Sequence, residues 1–278
     1  MTSQKNIIVS MTTTAKRTPF LERTLSSIQC QTVKPSSIQI NIPSSYLRPE
    51  LEPVDVDSIP DGFTIFRCDD YGPATKLLPT LKRYEQQDVV IIYCDDDRIY
   101  APNWIERLLT VHEENGGCCV GDEMYDIPSY VNSLSMAKTT AYRLNRILSL
   151  GMWSPRKRNA ARGVILEGYG GVLVRPSFFD ETVFNMPKEF FPVDDIWFSA
   201  KLAERGIPIK YSGRKPAEKS HPVIVNGADV GRMDGSLTTA TFDGRARAEL
   251  DINAMRYAVK NLGVWGEWEK HLQKYAYS

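Results

Sequence analysis

The stretch from Asp88 to Trp104, DVVIIYCDDDRIYAPNW, drives an apolar run directly into three adjacent carboxylates, Asp95, Asp96 and Asp97. A run as continuously apolar as VVIIYC suits a strand covered on both faces, which places it near the centre of a mainly parallel sheet. The following APNWIERLLTVHEENGG has Pro102 at a first helical position and Gly116 as a stop, so a helix starts almost at once. The three carboxylates therefore fall at the carboxyl end of a central strand, the edge at which open α/β sheets bind ligands.

Other segments extend the alternation. NIIVSMTT reads as a first strand and TPFLERTLSSIQCQT as a helix with Phe20, Leu21, Leu25 and Ile28 on its apolar side. SSIQINIP and GFTIFRC read as second and third strands, and GPATKLLPTLKRYEQQ as a helix that Pro79 kinks or restarts. GVILEGYGGVLVRPSFF reads as a glycine turn followed by a strand. DDIWFSAKLAERGI reads as a helix stopped at Gly206, and IPIKYS as a late strand. From Gly244 the pattern is helical, interrupted at Gly263. The reading is an α/β fold with a helical C-terminal extension.

Hydrophobic residues make up 42% of the 278, enough for a sizeable core, so disorder is excluded. Lys+Arg and Asp+Glu both number 34, so overall charge gives no reason to expect a nucleic-acid partner. The five cysteines lack CxxC spacing and read as small core residues in a reducing compartment. No apolar run approaches the roughly 20 residues that span a bilayer, and the expectation is a cytoplasmic protein. Local charge is less even. Lys138, Arg143, Arg146, Arg156, Lys157, Arg158 and Arg162 occur with no acidic residue between them. That segment, 138–162, is either an anion-contacting loop, with peripheral membrane contact, or a solvated helix face.

Three adjacent carboxylates repel and raise one another's pKa unless a cation or several donors compensate. A divalent ion, Mn2+ or Mg2+, is the cation expected, with water and substrate phosphates completing its shell. Alternation along an extended end would put Asp95 and Asp97 on one face and Asp96 on the other. A solvated acidic turn that caps the next helix is the alternative. Lys76 and Asp70, just beyond the third strand, either reach a ligand or, for lysine, face solvent and, for aspartate, cap a helix.

VVIIYCDDDRIYAPNWIERL resembles the DxD region of nucleotide-sugar-dependent glycosyltransferases of the GT-A fold. The opening strand and helix are similar to the start of family-two-like members, GYGGVLVRP resembles the glycine turn lining the donor sugar, and VDDIWFSAKLAERG resembles the later acidic pair that opens a helix. The motifs fall in order over roughly Ile7 to Ile209, with Asp-Asp in place of Glu-Asp and Lys201 where Arg is common. The resemblance implies a Rossmann-like GT-A domain over 1–215, its nucleotide-binding half about 1–125 and acceptor-side half about 126–215, with 216–278 as an extension packing on it.

The implied activity is transfer of a sugar from a nucleotide-diphosphate donor to a hydroxyl of a carbohydrate or lipid-linked acceptor, with inversion. Asp195 would be the catalytic base and Asp194 its support. Thr12, Thr13, Asp70, Lys76, Asp95, Asp96, Gly170 and Gly171 would bind the donor, and Asp97, Asp95 and His221 the metal. Trp153, in the basic segment that the resemblance does not cover, is either a stacking platform for an acceptor sugar or a core aromatic. A retaining transferase, a nucleotidyltransferase and an inactive carbohydrate- or nucleotide-binding protein stay open as alternatives. The nucleotidyltransferase would need a glycine-rich phosphate loop that VSMTTTAKR lacks.

Overall fold

The structure is a computed structural model that describes residues 6–136, 163–187, 190–232, 241–242 and 244–273. The basic segment 138–162, with Trp153, lies outside the described residues.

The expected strands form as β1 (Ile7–Thr12), β2 (Ser37–Pro43), β3 (Thr64–Cys68) and β4 (Val90–Tyr93). Between them lie α1 (Leu21–Gln29), which opens with a 3-10 turn at Thr18–Phe20, and α2 (Leu78–Arg83). Pro79 sits in the first turn of α2, and the residues before it, Gly72–Lys76, form a separate 3-10 turn. Pro79 thus restarts the helix, since proline's fixed φ and missing N–H suit a first turn. After β4 come β5 (Arg98–Ile99), α3 (Trp104–Glu114), β6 (Cys119–Gly121), β7 (Met124–Asp126) and α4 (Ile127–Met136). Then follow β8 (Val164–Leu166), β9 (Val172–Val174), α5 (Asp194–Glu204) and β10 (Ile209–Tyr211).

Seven strands form one sheet in the order β10-β6-β9-β4-β1-β2-β3. All neighbours run parallel except β9, which is antiparallel to both β4 and β6. β1 is flanked by β2 on one side and β4 on the other, so the strand order reverses there and the carboxyl ends of β1 and β4 frame a crevice. Alternation along these strands feeds two layers. Val9, Met11, Val90 and Ile92 face α1 and α3, while Ile8, Ile91 and Tyr93 face α2 and α5.

A third cluster joins β7, β8, α4 and α5 to the C-terminal helices α6 (Arg247–Leu262) and α7 (Glu269–Gln273). Gly263 ends α6 with φ +68°, the left-handed position where glycine carries no Cβ penalty. Trp265 is buried in this cluster beside Leu250 and Met255. Between β10 and α6 a strap carries β11 (His221–Pro222), β12 (Ile224–Val225) and β13 (Ala228–Asp229), and β11 pairs with β5. Among the described residues no helix is long and apolar enough to cross a membrane.

Candidate functional site

A cleft of about 910 Å3 opens at the β1/β4 switch point, walled by the ends of both strands, the 3-10 turn before α2, the start of α5, the strap and the first turn of α6. Carboxylates outnumber lysines and arginines along it.

The three aspartates after β4 are separated by their partners. Asp95 Oδ1 lies 3.0 Å from Lys76 Nζ. Asp96 accepts from Thr13 Oγ1 at 2.5 Å and from Arg17 Nη1 at 2.7 Å. Asp97 Oδ2 lies 3.2 Å from the same Arg17 nitrogen. The electrostatic results differ accordingly. For Asp95, burial raises the pKa, but the Lys76 ammonium, with Arg17 and Arg98 adding to its pull, leaves the carboxyl below its ordinary value. For Asp97, burial and then the charges of Asp96 and Asp95 push the carboxyl up to about 7 against the weaker pull of Arg17.

Lys76 joins this group to the second acidic pair. Its side chain is buried, and besides Asp95 it meets Asp194 Oδ2 at 3.2 Å and Asp195 Oδ1 at 3.7 Å. Burial lowers its pKa, but Asp194, Asp95 and Asp195 together hold it well above the usual lysine value. Asp195 Oδ1 also accepts from the Gly168 backbone N–H at 3.0 Å. Burial first, then Asp194, against the opposing pull of Lys76, raise the Asp195 carboxyl well above the ordinary range. The two acids open α5, where the helix dipole favours negative charge. Asp194 is buried, whereas the Asp195 side chain keeps 15% exposure into the cleft.

The other expected residues divide. Thr12 lines the cleft, but its hydroxyl donates to the Asn41 carbonyl at 2.8 Å, and Thr13 serves Asp96. Asp70 lines the cleft too, and accepts from the backbone N–H groups of Gly72 and Leu47 at 2.8 Å each, tying the loop after β2 to the 3-10 turn. Gly170 and Gly171 are buried away from the lining. The Gly170 carbonyl accepts from Trp104 Nε1 at 2.9 Å, and Gly171, at φ +92°, lies against the Trp104 ring where a Cβ would collide. In the same turn it is Gly168 that touches Lys76 and Asp195.

His221 does not join the cleft: it is exposed, paired through β11 with Ile99, and absent from the lining. The strap instead delivers Asp229 and Gly231. A Cβ at Gly231 would lie 2.5 Å from Asp97 Oδ2 and 3.2 Å from Asp229 Oδ1, so both carboxylates converge on a space that only glycine leaves open.

Sequence reasoning missed Arg17, Asp229, Gly231 and Gly168. Arg17 had a signal, a cation shortly after the first strand; Asp229 had none, since its segment shows no periodicity. Also missed was an ion cluster behind the glycine turn. Asp122 lies 2.8 Å from Arg107 and 3.2 Å from Arg214, and Arg214 also contacts Glu123. Asp122 N–H and Glu123 carbonyl in turn bond Gly171 and Glu167, which fixes the turn that carries Gly168 to Asp195.

Among the described residues no three acidic, histidine or cysteine side chains converge as a ready metal cage. The donor set nonetheless suits a hard divalent ion that keeps water and phosphate ligands. Asp97 is under-compensated, Asp229 approaches it across Gly231, and the cleft has an excess of carboxylates.

No protein-family model and no curated protein matches the chain. Among solved structures, TarS residues 1–349 from S. aureus matches with TM-score 0.50 at 12% identity, covering 96% of this chain and 68% of that one. Glucosyl-3-phosphoglycerate synthase from Mycobacterium tuberculosis, in complex with Mn2+, UDP-glucose and phosphoglyceric acid, matches with TM-score 0.41 at 14% identity, over 73% of this chain and 81% of that one. At such identities the likeness is one of fold. The mainly parallel seven-stranded sheet flanked by helices is a GT-A fold.

Proposed function

We propose that the protein is a metal-dependent, inverting glycosyltransferase that moves a sugar from a nucleotide-diphosphate donor to an acceptor hydroxyl. The observation that carries this reading is Lys76, which ties the aspartates at the β4 end to the pair opening α5 within one cleft. A donor site and a base must lie within one sugar's reach, and this lysine brings them that close.

The diphosphate would sit at the β1/β4 switch point, where Arg17 would be a cation for it. Asp97, with Asp95 or Asp229, would hold Mn2+ or Mg2+, and when bound the ion supplies Lewis-acid stabilisation of the leaving diphosphate. Asp195 is the base. As the acceptor oxygen bonds to the anomeric carbon and the carbon–oxygen bond to the diphosphate breaks, the acceptor's proton passes to the Asp195 carboxylate. A raised pKa strengthens that base, and Lys76 with the Gly168 N–H keeps its carboxylate oriented. Asp194, buried against Lys76, holds the lysine between the two acidic groups.

Incubation with a panel of nucleotide sugars, Mn2+ and simple alcohol acceptors tests the reading. Nucleoside diphosphate release from at least one donor, lost on chelation, is expected. No release and no binding with any donor would overturn it.

A further inference from the structure

The cleft extends past Asp195 to a wall that the donor chemistry does not use. This wall is the first turn of α6, with Arg247, Ala248 and Asp251, facing Tyr130, Ser133 and Leu134 of α4. Arg247 Nε is held by Asp251 Oδ1 at 2.9 Å, and Tyr130 Oη donates to the other oxygen of that carboxylate at 3.4 Å. The guanidinium is therefore fixed by its inner nitrogen. Its two terminal nitrogens have no hydrogen-bond partner among the described residues, and the side chain keeps 23% exposure at the cleft wall. Burial opposes the charge, but Asp251, Tyr130 and Asp194 sustain it.

A planar fork with open donors, preset by a buried carboxylate, is built to receive oxygen atoms at two points. The surrounding charge decides which oxygens. Asp251 already balances Arg247, and the charge of Asp194 acts on it as well, so a second anion would gain little there. Neutral hydroxyls bring no charge to balance, and each gains a charge-assisted bond. Ala248 and Leu134 add apolar surface for the carbon face of a sugar.

We propose that Arg247 and Asp251 form the acceptor subsite and take a neutral polyol, binding a pair of hydroxyls next to the attacking one. This rests on the glycosyl-transfer reading and deepens it by naming the acceptor's class. Asp251 is the positioning residue and Arg247 the binding one.

The test uses the full chain with a donor that the panel above identifies, and compares glycerol and methyl hexosides with hexose 6-phosphates as acceptors. Wild type should prefer the neutral compounds. Arg247→Gln should raise the KM for the neutral acceptor about tenfold or more, while the donor nucleotide's Kd, which also reports folding, stays within about twofold. Arg247→Lys keeps the charge but loses the fork, and should raise that KM by a similar factor. Preference for the phosphorylated acceptors, retained in Arg247→Lys, would overturn the polyol assignment. An unchanged acceptor KM in Arg247→Gln would overturn the subsite while leaving the transferase reading intact. No turnover by wild type with any donor would remove both.

Discussion

The two acidic groups of the cleft handle the same electrostatic problem differently. At the β4 end Lys76 serves Asp95 and Arg17 with Thr13 serves Asp96, while Asp97 only shares Arg17 and is left short. At the α5 start two carboxylates share the one ammonium of Lys76, and the one facing the cleft holds its proton more tightly than a free aspartate. The first arrangement leaves a localised deficit that a divalent ion can fill. The second leaves a carboxylate poised to accept a proton. Lys76 pairs with one carboxylate of the first group and with both of the second, so the two halves of the proposed reaction are electrostatically joined.

The largest effect should come from breaking the second arrangement. Asp195→Asn keeps the shape and removes the base, so kcat should fall about 10²- to 10⁴-fold with the donor Kd nearly unchanged, as steady-state kinetics with calorimetry will show. Normal turnover in that variant would end its assignment as base. Lys76→Met removes the shared cation and leaves buried carboxylates uncompensated; a loss of about 3–5 kcal/mol in denaturant unfolding is expected.

Smaller effects sharpen the contrast at the β4 end. Arg17→Met should cost about 1–3 kcal/mol without metal, and added Mn2+ should raise its melting temperature by more than it raises that of wild type. Equal Mn2+ shifts would mean that Arg17 and the ion do not compensate the same carboxylates. Asp229→Ala should weaken Mn2+-supported donor binding roughly tenfold, the scale of a lost metal-site contact. His221→Ala should change it by less than about twofold; a loss as large as that of Asp229→Ala would restore the histidine to the metal site.

The parts of the fold legible in the sequence are those in which one element carries its own signal. β4 was visible because a strand buried on both faces has no polar positions, and the acids at its end therefore marked the ligand edge. α5 was visible from its acidic start and Gly206 stop. β6 was not, because three residues ending in glycine are too few to show a period, and the antiparallel insertion of β9 is a matter of long-range pairing that no local pattern encodes. Within the site, residue types at strand ends were readable, but partnership was not. Nothing local links Arg17 to Asp96, Lys76 to Asp194, or Asp229 to Asp97, since each contact spans a chain reversal. The glycine turn shows the same limit. Three glycines at 168, 170 and 171 look alike in sequence, yet two make room for Trp104 and Glu123 and one for Lys76.

The central claim is that the acids at the β4 end and at the α5 start serve one substrate from opposite sides. A crystal structure of the full chain with Mn2+ and a non-hydrolysable nucleotide sugar tests it most directly. The account predicts the diphosphate at the β1/β4 switch point between Asp97 and Arg17, with the anomeric carbon facing Asp195. A nucleotide seated elsewhere, or a sugar turned away from Asp195, would contradict it.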